Sequence, residues 1–504
     1  MGHAATFSTS VNAQCLGFWS TEGDWFRESV FAVTTSPGGR IVVGGAFANI
    51  VVRGVTTNRI LYYDSARQGW NTLGTGVNDD VYATAILPGG DIVAGGFFTT
   101  AGGISTSCIA RYKYNTRVWS AMGAGTDDFV SCLAVLPDGD LVAGGNFSFA
   151  NNTLVNHIAR YRPSTGAWSA LGAGTNDYVA SLAITPDGDL IVGGLFSSAG
   201  GIATVGVARY KPTSGTWSAL GSGIPGYVAA VAALPNGDVI AGGLFTSAGS
   251  TPANNIARFN VASGTWVPMS SGTNGQVLAL TVLPDGDVVA GGAFTTAGGL
   301  PVKRVARFNP STSLWVGTAG GPNDTVYAVA PNSLGNIYVG GAFTMAASPA
   351  NGSFVHYIFE RPAVVITGQP QPTTTCLRGN TSFTVSGLNA QYAWYKGATR
   401  IDPSVNPSAL TPTLVLTNVG PADVATYKCA LFSSNYRCQT VWSSAATLSI
   451  CTADFNCDGF LTFEDFDSFV GAFDSGANIA DFNADGFLTF EDFDGFVGAI
   501  ELGC

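Results

Sequence analysis

A Gly-Gly-x-Phe signature recurs at Gly44, Gly95, Gly144, Gly193, Gly242, Gly291 and Gly340, the first interval 51 residues and each later one 49. Trp70, Trp119, Trp168, Trp217, Trp266 and Trp315 keep the same beat of 49. A spacing this regular marks a stack of equal supersecondary units, each too small to bury its apolar surface alone. It commits about two-thirds of the 504 residues to one repetitive scaffold before any chemistry is considered.

One copy shows what the unit is. In AWSALGAGTNDYVASLAITPDGDLIVGGLFSSAGGIATVGVARY, beginning at Ala167, Tyr178 to Ile184 alternates small and large side chains, as a half-buried strand does. Pro186-Asp187-Gly188-Asp189 is turn chemistry, with Pro fixing φ and Gly supplying a positive one. Leu190 to Phe196 is a continuous apolar run, a strand covered on both faces. SSAGG breaks it, Val207 to Tyr210 resumes as a third strand, and after KPTSG Trp217 starts a fourth. Four antiparallel strands in each of seven copies predict a seven-bladed β-propeller over residues 19–361, in a chain that is mainly β. The last copy supplies FVHYIFERP as its third strand, with no Trp strand after it. The missing strand lies at the other end, in CLGFWSTEG around Trp19, beyond an N-terminal segment of residues 1–18. It is expected to complete the last blade, since an open edge would otherwise remain.

The Gly pair, the third-strand aromatic and the fourth-strand Trp resemble Kelch repeats. LPDGDLVAGGNFSFA…HIARYRPSTGAW is still more similar to the delta-60 repeats of bacterial propellers. This resemblance implies the fold and leaves the ligand open, because propellers serve as enzymes, adhesins and scaffolds alike.

Two charges travel together through the repeat. The residue after the Pro-x-Gly turn is Asp91, Asp140, Asp189, Asp238 and Asp287 in copies two to six, but Arg40 and Asn336 in the outer two. The third strand carries Arg111, Arg160, Arg209, Arg258 and Arg307 in those same copies, but Tyr62 and His356 in the outer ones. A structural pair within or between blades explains this better than a ring of charges offered to a polymer, because partly buried Arg needs a carboxylate.

Nothing in the repeat reads as catalytic. His157 and His356 sit at different repeat positions, and no nucleophile elbow, Walker loop or His-rich metal spacing appears. Gly pairs that recur seven times are backbone devices rather than phosphate cradles. Cys108 and Cys132 are single exceptions, read as buried free thiols. No catalytic or cofactor-binding residue is assigned, and the protein is expected not to be an enzyme.

The net charge of −11 is concentrated at one end. Residues 451–504 hold nine Asp, three Glu and no Lys or Arg, so the remainder sums to about +1. A body without a basic face argues against nucleic acid as a partner. No apolar run is long enough for a transmembrane segment. Met1 to Gln14 lacks the basic and apolar regions of a signal peptide, so none is read there. Cys376, Cys429 and Cys438 cluster in one stretch and Cys451, Cys457 and Cys504 in the next, which suggests disulfides in an oxidising compartment. Odd counts leave a thiol free or paired across modules.

After ERPAVVITGQPQP the beat of the repeat stops, and Pro-rich linker chemistry marks a boundary. Residues 363–450 carry SFTVSG and QYAWYKG as strands, then LTNVGPADVATYKCALF with Asp423, Ala425, Tyr427 and Cys429 at alternate positions. A core Trp394, a Tyr427 two residues before Cys429 and a closing AATLSI strand resemble the immunoglobulin fold. That resemblance implies a β-sandwich acting as spacer or binding module. The place of its first cysteine falls around Phe383 to Val385; Cys376 lies upstream, and its partner is Cys429 or Cys438.

In the tail, DFNCDGFLTFED from Asp454 and DFNADGFLTFED from Asp481 are near-identical and 27 residues apart. Each fits the twelve-residue calcium loop, in which oxygens at positions 1, 3, 5, 7, 9 and 12 converge on a hard cation and Gly at 6 makes the turn. The expected ligands are Asp454, Asn456, Asp458, the Phe460 carbonyl, Thr462 and Asp465, then Asp481, Asn483, Asp485, the Phe487 carbonyl, Thr489 and Asp492. A short helix with Phe on one face follows each loop. Two such halves resemble a type I dockerin, and the Gly-Cys ending is similar to the terminal modules of exported planctomycete proteins. The resemblance covers residues 451–504 and implies two calcium ions, a cohesin-like or envelope partner, and a Cys451–Cys504 bond tying the module's ends. Phe463-Glu464 and Phe490-Glu491 stand where dockerins carry small hydroxyl residues for cohesin recognition.

Together these readings predict an exported, non-enzymatic display protein, extracellular or on the cell surface. Its propeller would bind a glycan or protein, and its calcium-dependent tail would anchor it. The alternatives are a polysaccharide-active enzyme or accessory subunit tethered by its tail, and a structural surface-layer component.

Overall fold

A computed structural model describes residues 18–21, 26–64, 69–318, 320–347, 350–359, 365–388, 390–432, 441–483 and 485–503. The chain divides into two units, Leu16–Phe359 and a C-terminal one over Glu360–Cys504.

In the first unit, Val179–Ile184, Leu190–Gly194, Val207–Lys211 and Thr216–Ala219 lie side by side in one antiparallel sheet. Seven such four-stranded sheets follow one another. Their innermost strands touch in cyclic order, with Val30–Thr35 meeting both Val81–Ile86 and Val326–Pro331, so the sheets form a closed, propeller-like ring. In the last sheet the outer place belongs to Phe18–Thr21, which runs antiparallel to Phe354–Ile358 with Trp19 opposite Tyr357.

The repeated residues are the joints of this ring. A Cβ on Gly95 would sit 2.6 Å from Cγ1 of Val130, the first inner-strand residue of the next sheet. The same approach recurs at Gly44, Gly242 and Gly291, each at 2.5 Å from the next sheet's Val. Each Trp ties its sheet to the one before: Nε1 of Trp119, Trp168, Trp217, Trp266 and Trp315 donates to the carbonyls of Leu73, Met122, Leu171, Leu220 and Met269 at 2.7–3.0 Å. The third-strand aromatic packs on that Trp, as Tyr161 does on Trp168. The longer first interval comes from one hairpin. Ile50–Val52 pairs with Val55–Thr57, three residues a side, where the next copy pairs Thr100–Ala101 with Ile104–Ser105, two a side.

The Asp–Arg pairs lie within single sheets. Arg111, Arg160, Arg209, Arg258 and Arg307 reach Asp91, Asp140, Asp189, Asp238 and Asp287 at 2.5–2.7 Å, as the structural reading expects. Cys108 is buried and Cys132 half-buried, both as free thiols. Burial pushes the Cys132 thiol up to about 12, which leaves it protonated and inert.

In the second unit, strands Thr373–Cys376, Ala446–Cys451, Thr426–Phe432, Gln391–Lys396 and Thr399–Arg400 form one sheet, and Thr381–Thr384 pairs separately with Thr413–Leu416. Both contribute to one core around Phe383, Trp394, Leu414 and Tyr427. The Tyr427 hydroxyl donates to the Asp423 carbonyl at 2.8 Å, which pins the corner before its strand.

Val365–Gly368, at the start of the region read as a sandwich, is a strand paired with Ser386–Leu388. One expectation is corrected here. Cys376 bonds to Cys457 rather than to Cys429 or Cys438. The reason is visible in the core: Phe383 and Val385 fill the place of a first cysteine with apolar bulk, and Cys429 stays a free, buried thiol. Cys451 is disulfide-bonded; Cys438 and Cys504 lie outside the described residues.

The unit ends in two helices, α1 (Phe463–Asp474) and α2 (Phe490–Leu502). Phe469 and Phe496, equivalent in the duplication, are fully buried and stack at 4.2 Å.

Candidate metal loops and the channel mouth

Each acidic loop leads directly into a helix. Thr462 caps α1 and Thr489 caps α2, each in a capping box closed by Asp465 or Asp492. Gly459 and Gly486 take φ of +84° and +85°, the left-handed turn that the sixth loop position demands. The carboxylates are held from behind by backbone amides. Asp454 accepts from the Asp458 and Gly459 amides, both at 3.1 Å. Asp465 accepts from Phe455, Asn456 and Thr462 at 2.9–3.1 Å and is fully buried. Asn456 Oδ1 and Asp458 Oδ1 accept from the amides two residues on.

The effect is to bring one carboxylate oxygen from each of Asp454, Asp458 and Asp465 within 4.8 Å of the others. Among the described residues that convergence is particular to the first loop. In the second, the same hydrogen bonds recur: Asp481 accepts from Asp485 and Gly486, and Asp492 from Phe482, Asn483 and Thr489. The Thr489 and Asn483 amides hold the Asp492 carboxyl below the usual carboxylate range, so it is ionised at neutral pH. Hard oxygen donors, without any Lys or Arg in residues 451–504, suit a divalent cation such as calcium. Beside the loops stand four exposed rings, Phe460, Phe463, Phe487 and Phe490, each more than 70 % accessible.

The ring of sheets contains a feature that the sequence reading missed. Each inner strand carries a Val followed by a β-bulge, as between Val130 and Cys132 or Val228 and Ala230. The bulge aims the residues on either side of that Val at the central channel. Three copies place their aromatic before the Val, as Phe129, Tyr178 and Tyr227, with Ser131, Ala180 and Ala229 after it. The others place bulk after it, as Phe31, Tyr82, Leu278 and Tyr327. Every sheet thus supplies one large group. The rings touch in series, Tyr327–Phe31–Tyr82–Phe129–Tyr178–Tyr227, with centroids 5.4–6.4 Å apart. They line a cavity of about 230 Å³ that has no charged residue in its wall. Burial pushes the Tyr178 and Tyr227 hydroxyls up, so both remain neutral hydrogen-bond donors. The signal was present in the sequence, but it alternates between two positions and so escapes a search at fixed spacing.

Two family models match the repeat. One describes the Rax2 C-terminal beta propeller domain and covers residues 169–284 and 229–333; the other describes a beta-propeller domain of unknown function, DUF5122, over residues 136–166. The repeat is of the β-propeller kind. No curated protein matches the chain. Among solved structures, the WD40 beta propeller domain of Doa1 aligns at 13 % identity and a TM-score of 0.42, over 68 % of this chain and 95 % of that one. The extracellular domain of a putative hybrid two component system, BT4673 from B. thetaiotaomicron, aligns at 10 % identity and 0.45, over 87 % of this chain and 60 % of that one. Among the described residues, no helix is long and apolar enough to cross a membrane.

Proposed function

We propose that the chain is an exported display protein: a seven-bladed propeller that binds a ligand, an immunoglobulin-like spacer, and a dockerin-like tail that docks when its two loops hold calcium. The observation that carries this reading is the first acidic loop, where three carboxylates converge in a module without a single basic residue. Calcium would be held by Asp454, Asn456, Asp458, the Phe460 carbonyl, Thr462 and Asp465, and by the corresponding residues of the second loop. It would supply the charge those acids lack and fix the loop ahead of each helix.

Four Phe side chains left more than 70 % accessible in one small module support a protein partner, since large apolar groups exposed in number mark contact surfaces. They also support a partner surface more apolar than the one that small hydroxyl residues would read. A binding role for the propeller, rather than glycoside cleavage, is supported by the channel mouth, whose wall offers rings and hydroxyls but no carboxylate pair among the described residues.

The test is capture from the source organism's envelope extract, by the full chain and by an Asp465→Asn/Asp492→Asn double variant, with calcium and with chelator. The reading requires a partner held by the unmodified chain in calcium and lost in the other three conditions. Equal capture in all four would reduce the tail to a folding module.

A further inference from the structure

The repeat supplies its own baseline, and three departures from it meet at one place. Arg40 occupies the position that Asp holds in five copies. Tyr114 occupies the position held elsewhere by Ser65, Pro163, Pro212, Val261, Pro310 and Phe359; the other aromatic, Phe359, lies under Arg307, a guanidinium that has its carboxylate in Asp287. Thr84 stands where the other copies carry only Val or Leu, as at Val33 and Leu133. All three line a single cavity of about 840 Å³ at the Pro-x-Gly end of the first two sheets, within the range of small-ligand pockets.

The Arg40 guanidinium lies over the Tyr114 ring, 3.8 Å from its centroid. Tyr114 is itself held by its hydroxyl, which donates to Asp64 at 3.2 Å. Only Nη1 of the guanidinium is engaged by a hydrogen bond, donated to the Gly90 carbonyl at 3.0 Å. Nε is buried without an acceptor, and among the described residues no carboxylate pairs with Arg40. A bridge between the two sheets does not require this arrangement, because the Thr34 and Thr84 hydroxyls already meet across them at 2.8 Å. Elsewhere in the ring, each of the five third-strand arginines has its carboxylate, while the half-buried Arg304 donates to the Ala293 carbonyl. Arg40 stands instead at the position of their carboxylate, opposite Tyr62 rather than an arginine, and lacks a carboxylate of its own.

We propose that this cavity is a binding site for a carboxylate-bearing ligand, a sugar acid or a small organic acid, whose carboxylate pairs with Arg40. A planar guanidinium is suited to that group, and stacking on Tyr114 presets its orientation. This gives the display reading a ligand class and rests on it only in that the propeller is taken to bind something.

The test titrates the full chain with galacturonate, succinate and glucose by calorimetry, without added calcium in any arm, so that its failure leaves the tail reading untouched. Saturable binding of at least one acid and none of glucose is expected. It should weaken at least tenfold in Arg40→Gln and stay unchanged in Arg162→Gln, which loses the same charge from an exposed site outside the cavity. Galacturonate alone would identify a sugar acid, and both acids a simple carboxylate. If Arg40→Gln fails to fold, the Arg40 Nε–H resonance of the unmodified chain should shift with acid and not with glucose. No binding of either acid, undiminished binding by Arg40→Gln, or an Nε–H signal indifferent to acid would overturn the proposal.

Discussion

Adjacent glycines in the repeat face different obstacles. A Cβ on Gly95 would press on the flexible side chain of Val130, whereas a Cβ on Gly96 would lie 2.0 Å from the Asp80 carbonyl oxygen, which is backbone. Gly95→Ala is therefore expected to cost roughly 1–3 kcal/mol and Gly96→Ala to reach or exceed the top of that range, as urea unfolding would measure. Gly103, at φ +83° with open space around it, isolates the backbone term, and its Ala variant should cost only about 1 kcal/mol. At Asp238, burial pushes the carboxyl up, but the Val261 amide, the Arg258 guanidinium and the Asn236 amide outweigh it and hold the group below its ordinary value. A carboxyl lowered by folding stabilises the fold fully above its unfolded value and loses that contribution as pH falls through the folded one. Asp238→Asn should cost about 2 kcal/mol at neutral pH and flatten the acid limb of the stability profile. The pairing itself was legible in the sequence because Asp and Arg appear and vanish together. The aromatic collar was not, because Phe129 precedes its inner-strand Val and Tyr82 follows its own.

At the scale of elements, the strands were legible wherever the 49-residue beat runs, since each copy corrects the reading of the others. Val365–Gly368 was not, because the prolines near it signal a linker while its pairing depends on a partner twenty residues on. Cysteine pairing was hidden for a related reason: which thiols meet depends on Phe383 and Val385 occupying a core position, and spacing does not record that. The outer strand Phe18–Thr21 carries a testable load. Removing residues 1–21 would leave the backbone edge of Phe354–Ile358 unpaired. The thermal midpoint should then fall and self-association rise on size-exclusion chromatography, whereas an unchanged midpoint would show that the strand closes nothing. The Cys376–Cys457 bond makes a second prediction, because Cys457 sits between Asn456 and Asp458 while the second loop has Ala484 there. A Cys376→Ser/Cys457→Ser variant should lose calcium affinity at the first loop and keep it at the second, since only the first is preorganised by the bond.

Across the whole molecule, charge and binding surfaces are segregated. The repeat is close to neutral, while the last 54 residues carry twelve acids and no base. Sequence alone marked that asymmetry and the duplicated loops, because ligand spacing in a twelve-residue loop is local. The Arg40 cavity needed the structure, since its residues come from different sheets and acquire meaning only by departing from a common pattern. A calcium titration of the full chain by calorimetry, beside the Asp465→Asn/Asp492→Asn variant, decides whether the tail is a calcium module. Two ions per chain, with both sites abolished or severely weakened in the variant, is the expected result. No uptake at millimolar calcium, or uptake undiminished in the variant, would contradict it.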